Sequence, residues 1–429
     1  MSRLTKKCGL LSGCLSGWLC GIVLATTGIF VNAAEPVNES ISELSSGLLF
    51  DSYRDQWVAS WSSPPAAPGS AFEPPKSFEN QTIRQVLQLS LGGQRVRIRV
   101  SNAFGTQPLR IGAAHVAVQA NEAAIVPGTD RTLRFSGLPS ITIPAGAVAL
   151  SDPVDFNAPM QAKLSVSLYV PTSTGPATYV EGVNKVTYIS GPGDFSGAVA
   201  LPVLETATSR YFLSVVEVLT RKNSGVVVAI GDSLTKGASP TNWPAFLFSR
   251  LNSNYGTQKL AVINQGIGCG RTLRDFCGPN AAARFDRDVL AVTGVTHVII
   301  ALGLVDIILP TVSGNLVEVV TPGEVITGLK QLIERARAKG LKVYGATIAP
   351  MGGSPVAGVY TEENEATRQA INRWIRTSGA YDGVIDFDVA VRDPADPKRF
   401  WPIYTDDGIH PNDAGNELMA KAIDLSLFD

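Results

Sequence analysis

The sequence has only three histidines, at positions 115, 297 and 410. Chemistry that needs an imidazole base must use one of them, and none lies close enough to a cysteine pair to suggest a metal site. Neither a metal nor a cofactor is expected. Charge of one sign is also missing. Lys and Arg total 36 against 37 Asp and Glu, with no block of like charges. That excludes the basic footprint of a nucleic-acid binder and a surface built for acidic partners. Internal repeats and low-complexity tracts are absent. Cysteine is sparse: of five, Cys8, Cys14 and Cys20 fall in the first 34 residues.

What is present suggests an exported, two-domain protein. A chain of 429 residues with 45% apolar content is long for one domain and rich enough for packed cores. Arg3, Lys6 and Lys7 precede the apolar run "GWLCGIVLATTGIF", and "VNAA" closes it with small residues. This is the grammar of a secretory signal peptide over residues 1–34, cut near Ala33 or Ala34. The run is short for a membrane span, so no stable membrane insertion is expected after cleavage. The mature protein is expected to be secreted or periplasmic, with residues 35–56 as a linker. Cys269 and Cys277 then remain as an even pair. In an exported protein that spacing suggests a disulfide closing a small loop, with two free buried thiols as the alternative.

From Trp57 to about residue 215 the pattern has period two. Leu87, Leu89 and Leu91 alternate up to Gly92-Gly93, and Val96, Ile98 and Val100 resume against Arg95, Arg97 and Arg99. This reads as a hairpin, with the arginines on its wet face. Short strands punctuated by Pro and Gly follow, and an antiparallel β-sandwich of jelly-roll type is expected over 57–215. After "LTRKNSG" the pattern changes to apolar strands alternating with amphipathic helices. The expectation for 222–429 is a flavodoxin-like, doubly wound parallel sheet of five strands. Ligands of such sheets bind beyond the carboxyl ends of the strands. The segments to inspect are Gly231–Ser233, Asn264–Gly270, Gly303–Asp306, Ala349–Gly353 and Asp406–Asn412.

In "VVVAIGDSLTKG" a buried run ends by presenting Ser233. A serine hydroxyl attacks a carbonyl only when a base takes its proton. His115 lies in the β-rich half and His297 opens an apolar strand, which leaves His410 in "DDGIHPNDAG". Asp407 stands three residues earlier, so one loop carries both a base and the carboxylate that orients it. On its own, Ser233 reads more readily as a helix cap than as a nucleophile, and it is the pairing with Asp407 and His410 on the same sheet rim that favours catalysis. The elbow Gly-x-Ser-x-Gly is not present, because Thr235 occupies its second glycine position. Trp243, Trp401 and Tyr404 are candidates for a cleft lining or for the core. "PMGGSP" has no phosphate-loop signature and suggests a cleft wall.

These blocks resemble the SGNH hydrolases, or GDSL esterases and lipases. "GDSLTKG" is similar to the family's first block and Asp407-x-x-His410 to its last, while "RFDRDVL", "GVTHVI" and "HPNDAG" resemble its secreted bacterial branch. "YISGPGDFSG" is similar to the β-module that two-domain members carry. The resemblance implies a metal-free serine esterase with Ser233 as nucleophile, His410 as base and Asp407 as its partner. It further implies an oxyanion hole built from the Ser233 N–H and a backbone donor of the Gly268-Cys269 segment. By their places in the sequence, Asn264, Val305 and Trp401 are expected near the substrate. Where the family has Gly-x-Asn-Asp, this chain reads Gly303-Leu304-Val305-Asp306, and Val305 has no side-chain donor. Asn264, Gln265 and Arg271 are the nearby candidates to replace it. The expected substrate is a carboxylic ester: an acetylated glycan, a short-chain ester or a polymeric one. The alternatives are a weak, carbohydrate-binding relative and an acyltransferase using the same triad.

Overall fold

A computed structural model describes residues 55–69, 74–182, 187–237 and 241–429. They belong to one compact unit, Tyr53–Asp429. The expected signal peptide and nearly all of the expected linker lie outside the described residues.

The period-two half forms antiparallel sheets. In one, Leu213–Arg221 lies between Asp55–Ser62 and Gly93–Ser101, with Val154–Ala158 beyond. In the other, Gln81–Gln88 and Ala113–Asn121 flank Lys163–Val170. Alternation explains the core: Val96, Ile98, Val100, Val216 and Val218 from the first sheet share one cluster with Ile83, Leu87, Val116, Val166 and Leu168 from the second. The expected hairpin at Gly92-Gly93 does not form, because Gln81–Gln88 and Gly93–Ser101 lie in different sheets. Both strands aim their apolar side at the same core. The chain therefore crosses from sheet to sheet instead of folding back in register.

The arginine stripe is also not simply a wet face. Arg97 and Arg99 both pair with Glu217, whose side chain is fully buried. Arg97 lies 4.2 Å from the centre of the Trp57 ring. Two cations and the Thr293 hydroxyl, 2.7 Å away, compensate the buried carboxylate. Thr293 belongs to the α/β half, so this cluster ties the halves together. The Ser90 hydroxyl donating to Val262 O and the Gln265 amide donating to Ser62 Oγ add further ties.

The second half holds five parallel strands: β1 (Gly225–Gly231), β2 (Leu260–Gly266), β3 (Val295–Ala301), β4 (Lys342–Ala346) and β5 (Gly383–Ile385). Their order is β2-β1-β3-β4-β5. Every residue of β1 is buried, as a central strand covered on both faces requires. The order reverses between β2 and β3 around β1, which puts the crevice at the carboxyl end of β1. The helices are α1 (Ser233–Lys236), α2 (Trp243–Ser253), α3 (Ala281–Phe285), α4 (Leu304–Ser313), α5 (Pro322–Arg337), α6 (Glu362–Thr377), α7 (Phe387–Val391) and α8 (Asp413–Lys421). Among the described residues no helix is long and apolar enough to cross a membrane.

Candidate active site

Ser233 is the first residue of α1, immediately beyond β1. Asp232 caps that helix by accepting the Leu234 N–H at 2.9 Å. Burial pushes the Asp232 carboxyl up to about 6, against the pull of that hydrogen bond. The four-residue helix is too short to hold itself, and its neighbours brace it. The Asn264 amide donates to Thr235 O at 2.6 Å and to Lys236 O at 3.3 Å, and its oxygen accepts the Gly266 N–H. Beneath Ser233, buried Arg284 donates to Gly231 O at 3.1 Å and Gln265 O at 2.7 Å, and pairs with Asp288. It thereby pins the ends of β1 and β2 to each other. Sequence reasoning missed this arginine; its signal was a cation set directly among the apolar residues Ala281, Ala282, Ala283 and Phe285.

His410 reaches Ser233 from the loop before α8. Its Nε2 is 2.9 Å from Ser233 Oγ, and its Nδ1 is 2.6 Å from Asp407 Oδ2. The other carboxylate oxygen of Asp407 accepts the N–H groups of Ile409 and His410 at 2.9 and 2.7 Å. Partial burial pushes Asp407 up, but the His410 ring and these two amides outweigh it and hold the carboxyl below its ordinary range. The loop is therefore knotted around one carboxylate. Thr405 completes it by donating to His410 O at 2.7 Å and accepting the Gly408 N–H. The glycine-rich segment 350–355 packs against this loop. Gly408 has φ +78°, and a Cβ there would stand 2.3 Å from Gly353 backbone atoms.

Cys269 has φ +54°, a left-handed conformation uncommon for a residue with a side chain. Among the described residues, the N–H groups of Ser233 and Cys269 have no acceptor. Cys269 and Cys277 are free thiols, which differs from the expected disulfide. The loop does bring the two thiols close enough to act on each other. That contact lowers the Cys269 thiol and raises that of Cys277. Gly268 lies against the pair formed by Lys236 and Glu181, whose closest approach is 3.6 Å.

Val305 is buried in the first turn of α4 and brings no polar atom. Of the candidates to replace it, Asn264 is spent on α1 and Gln265 donates to Ser62. Arg271 pairs with Glu318 but keeps Nε and Nη2 buried without a partner. Asp306 accepts the N–H groups of Thr272 and Leu273 at 2.7 and 3.2 Å, which fixes the segment after Cys269; burial raises its carboxyl. Trp401 is 36% exposed and packs edge-on against Tyr404, beside the His410 loop. Trp243 is core, fully buried against Phe387. His115 pairs with Asp130 in the β-rich half, and His297 packs between Tyr344 and Phe428. No group of three or more His, Cys, Asp or Glu able to hold a metal occurs among the described residues.

Residues 229–418 match the model of the GDSL-like lipase/acylhydrolase family. No curated protein matches the chain. Solved structures similar to it include a GDSL-like lipase from Bacteroides thetaiotaomicron (18% identity, 49% of this chain and 90% of that one, TM-score 0.36). An acetylxylan esterase from Geobacillus stearothermophilus is similar at 20% identity over 47% of this chain and 94% of that one, TM-score 0.39. An aryl esterase from M. smegmatis is similar at 19% identity over 46% and 96%, TM-score 0.36. Likeness at this level carries no argument about substrate. The match to the GDSL-like lipase/acylhydrolase model covers less than half of the chain and supports a carboxylic ester hydrolase.

Proposed function

We propose that this GDSL-like hydrolase is an exported serine esterase in which Ser233, His410 and Asp407 form the catalytic triad. The observation that carries the reading is the unbroken relay from Ser233 Oγ to His410 Nε2 and from His410 Nδ1 to Asp407, at 2.9 and 2.6 Å. His410 takes the serine proton as Oγ attacks the ester carbonyl. It returns that proton to the departing alcohol, leaving an acyl group on Ser233. It then deprotonates a water that attacks the acyl carbon, and the acid leaves. Asp407 fixes the imidazole tautomer and stabilises the imidazolium. The N–H groups of Ser233 and Cys269 serve as oxyanion donors.

A third donor on the side chain at position 305 is missing. One such donor is worth about 10²–10³ in kcat. This favours esters with a small or labile acyl group, of which acetylated glycans, short-chain esters and exposed polymeric esters are the candidates. The same feature favours a second reading, a weak hydrolase that mainly binds or transfers acyl groups. A serine-directed phosphonate, followed by peptide mapping, tests the first. Label on Ser233 with loss of chromogenic ester turnover is expected, and Ser233→Ala must abolish both while leaving Tm near its wild-type value. Label elsewhere, or turnover above a few per cent in S233A, overturns it. New ester formed when an alcohol or sugar is added identifies transfer.

A further inference from the structure

Among the described residues five arginines are almost completely buried, and four of them either pair with a carboxylate or donate to several acceptors. Arg84 donates to Ser167 Oγ and to the carbonyls of Ala123, Ser196 and Ala198. Arg271, Arg284 and Arg368 each pair with a carboxylate. Arg210 is different. It is 2% exposed and has one hydrogen bond, from Nη2 to Val86 O at 2.8 Å. No carboxylate pairs with it among the described residues, and its Nη1 is buried without a partner. A buried cation left in this state is costly unless something supplies the missing charge. Burial alone depresses its guanidinium, with no acid nearby to oppose the shift.

Arg210 lines a cavity of about 330 Å³ between the β-rich half and the start of the α/β half. That volume suits a small ligand. Its guanidinium lies 5.0 Å from the centre of the Trp61 ring, which also lines the cavity. Pro244 and Phe248 of α2 add apolar wall, and Ser63 adds a hydroxyl. Lys236, the last residue of α1, also lines the wall, its charge paired with Glu181 at 3.6 Å, and no Asp or Glu is among the described residues of the lining. A cavity whose wall carries a guanidinium that no carboxylate pairs with, and no acid of its own, is complementary to an anion. The planar fork of arginine fits a carboxylate, and the indole beneath it offers a face to a carbon skeleton.

We propose that this cavity binds a small organic carboxylate, held by the Arg210 guanidinium beside Trp61. Two sources share that chemistry. One is the acid released by the esterase, and the other is an acidic sugar unit of a substrate glycan. The site does not depend on Ser233, so it stands or falls separately from the proposed triad.

The test is calorimetric titration of full-length Ser233→Ala protein with acetate and with glucuronate, at ionic strength fixed by chloride. Saturable one-to-one binding of at least one of them is expected. Arg210→Met should weaken it tenfold or more. So should Ala245→Trp, which fills the cavity from an exposed position on α2 and leaves the buried arginine alone. The second variant answers even if the first does not fold. Binding of glucuronate alone identifies the acidic sugar, and binding of acetate identifies the acid product. Absence of saturable binding by both ligands, or binding undiminished in either folded variant, overturns the proposal. An active esterase with an empty cavity would refute this inference and leave the triad standing.

Discussion

At the scale of residues, the site is economical. Asp407 uses one oxygen for the His410 ring and the other for two backbone amides. Asp407→Asn can keep the amide contacts through its oxygen while presenting an N–H to Nδ1, which reverses the tautomer. The fold should survive with Tm within a few degrees, while kcat falls by about 10⁴, against about 10⁶ for Ser233→Ala. Steady-state kinetics beside a thermal melt checks both halves. Val305 offers a gain-of-function test. Val305→Asn should raise kcat on an unactivated alkyl ester by about tenfold or more and change an aryl ester less. A flat or lower kcat in a folded variant would show that another group, with Arg271 foremost, already supplies the donor. The proposed triad was legible in the sequence because few histidines were available and only one stood three residues after an aspartate, in the loop before the last helix. Arg284 and Arg210 were not legible, because an arginine in sequence reads as surface until its burial is known.

At the scale of elements, backbone closeness limits what can change. A Cβ at Gly266 would stand 2.2 Å from Lys236 N, so β2 and α1 touch backbone to backbone. Gly266→Ala must push α1, and Ser233 with it, at a cost of about 1–3 kcal/mol. Gly408→Ala meets both the Gly353 backbone and an unfavourable φ, and should displace His410. Both variants are expected to lose at least 10²-fold in kcat, with a smaller relative change in KM. Chromogenic-ester kinetics on folded protein checks this; wild-type kcat in either would show that α1 or the His410 loop tolerates the shift. The five-stranded sheet was readable from its apolar runs and flanking helices. The sheet switch at Gly92-Gly93 was not, since two strands that share an inward face look the same in sequence whether they pair or cross the core.

At the scale of the molecule, acid should act through His297 as well as through the site. Burial, with Lys342 adding to it, lowers this imidazole from 6.5 to about 4. The unfolded chain therefore binds a proton between those values that the folded chain refuses, and stability falls as pH drops from 6.5 to 4. Asp232, raised to about 6, acts in the opposite sense, its penalty growing as pH rises from 3.8 toward 6. Comparison with His297→Gln isolates the histidine. Between pH 7 and 4.5 wild type should lose about 2 kcal/mol more than the variant, after allowance for partial exposure. Denaturant melts at both pH values measure it, and equal losses would place the acid sensitivity elsewhere. The ties through Glu217–Thr293, Ser90–Val262 and Gln265–Ser62 run between parts that the sequence separates by composition. Such side-chain contacts have no signature in periodicity.

The hydrogen bond between Ser233 and His410 spans 177 residues of chain. A ribosome makes the serine long before the histidine, and β3, β4, β5 and their helices must be synthesised in between. Until the His410 loop emerges and docks, the proposed nucleophile has no base. If the two act as proposed, the polypeptide is inert toward esters until that loop docks, and activity then appears in one step. A cell that exports this chain unfolded would carry no esterase in the compartment where it is made.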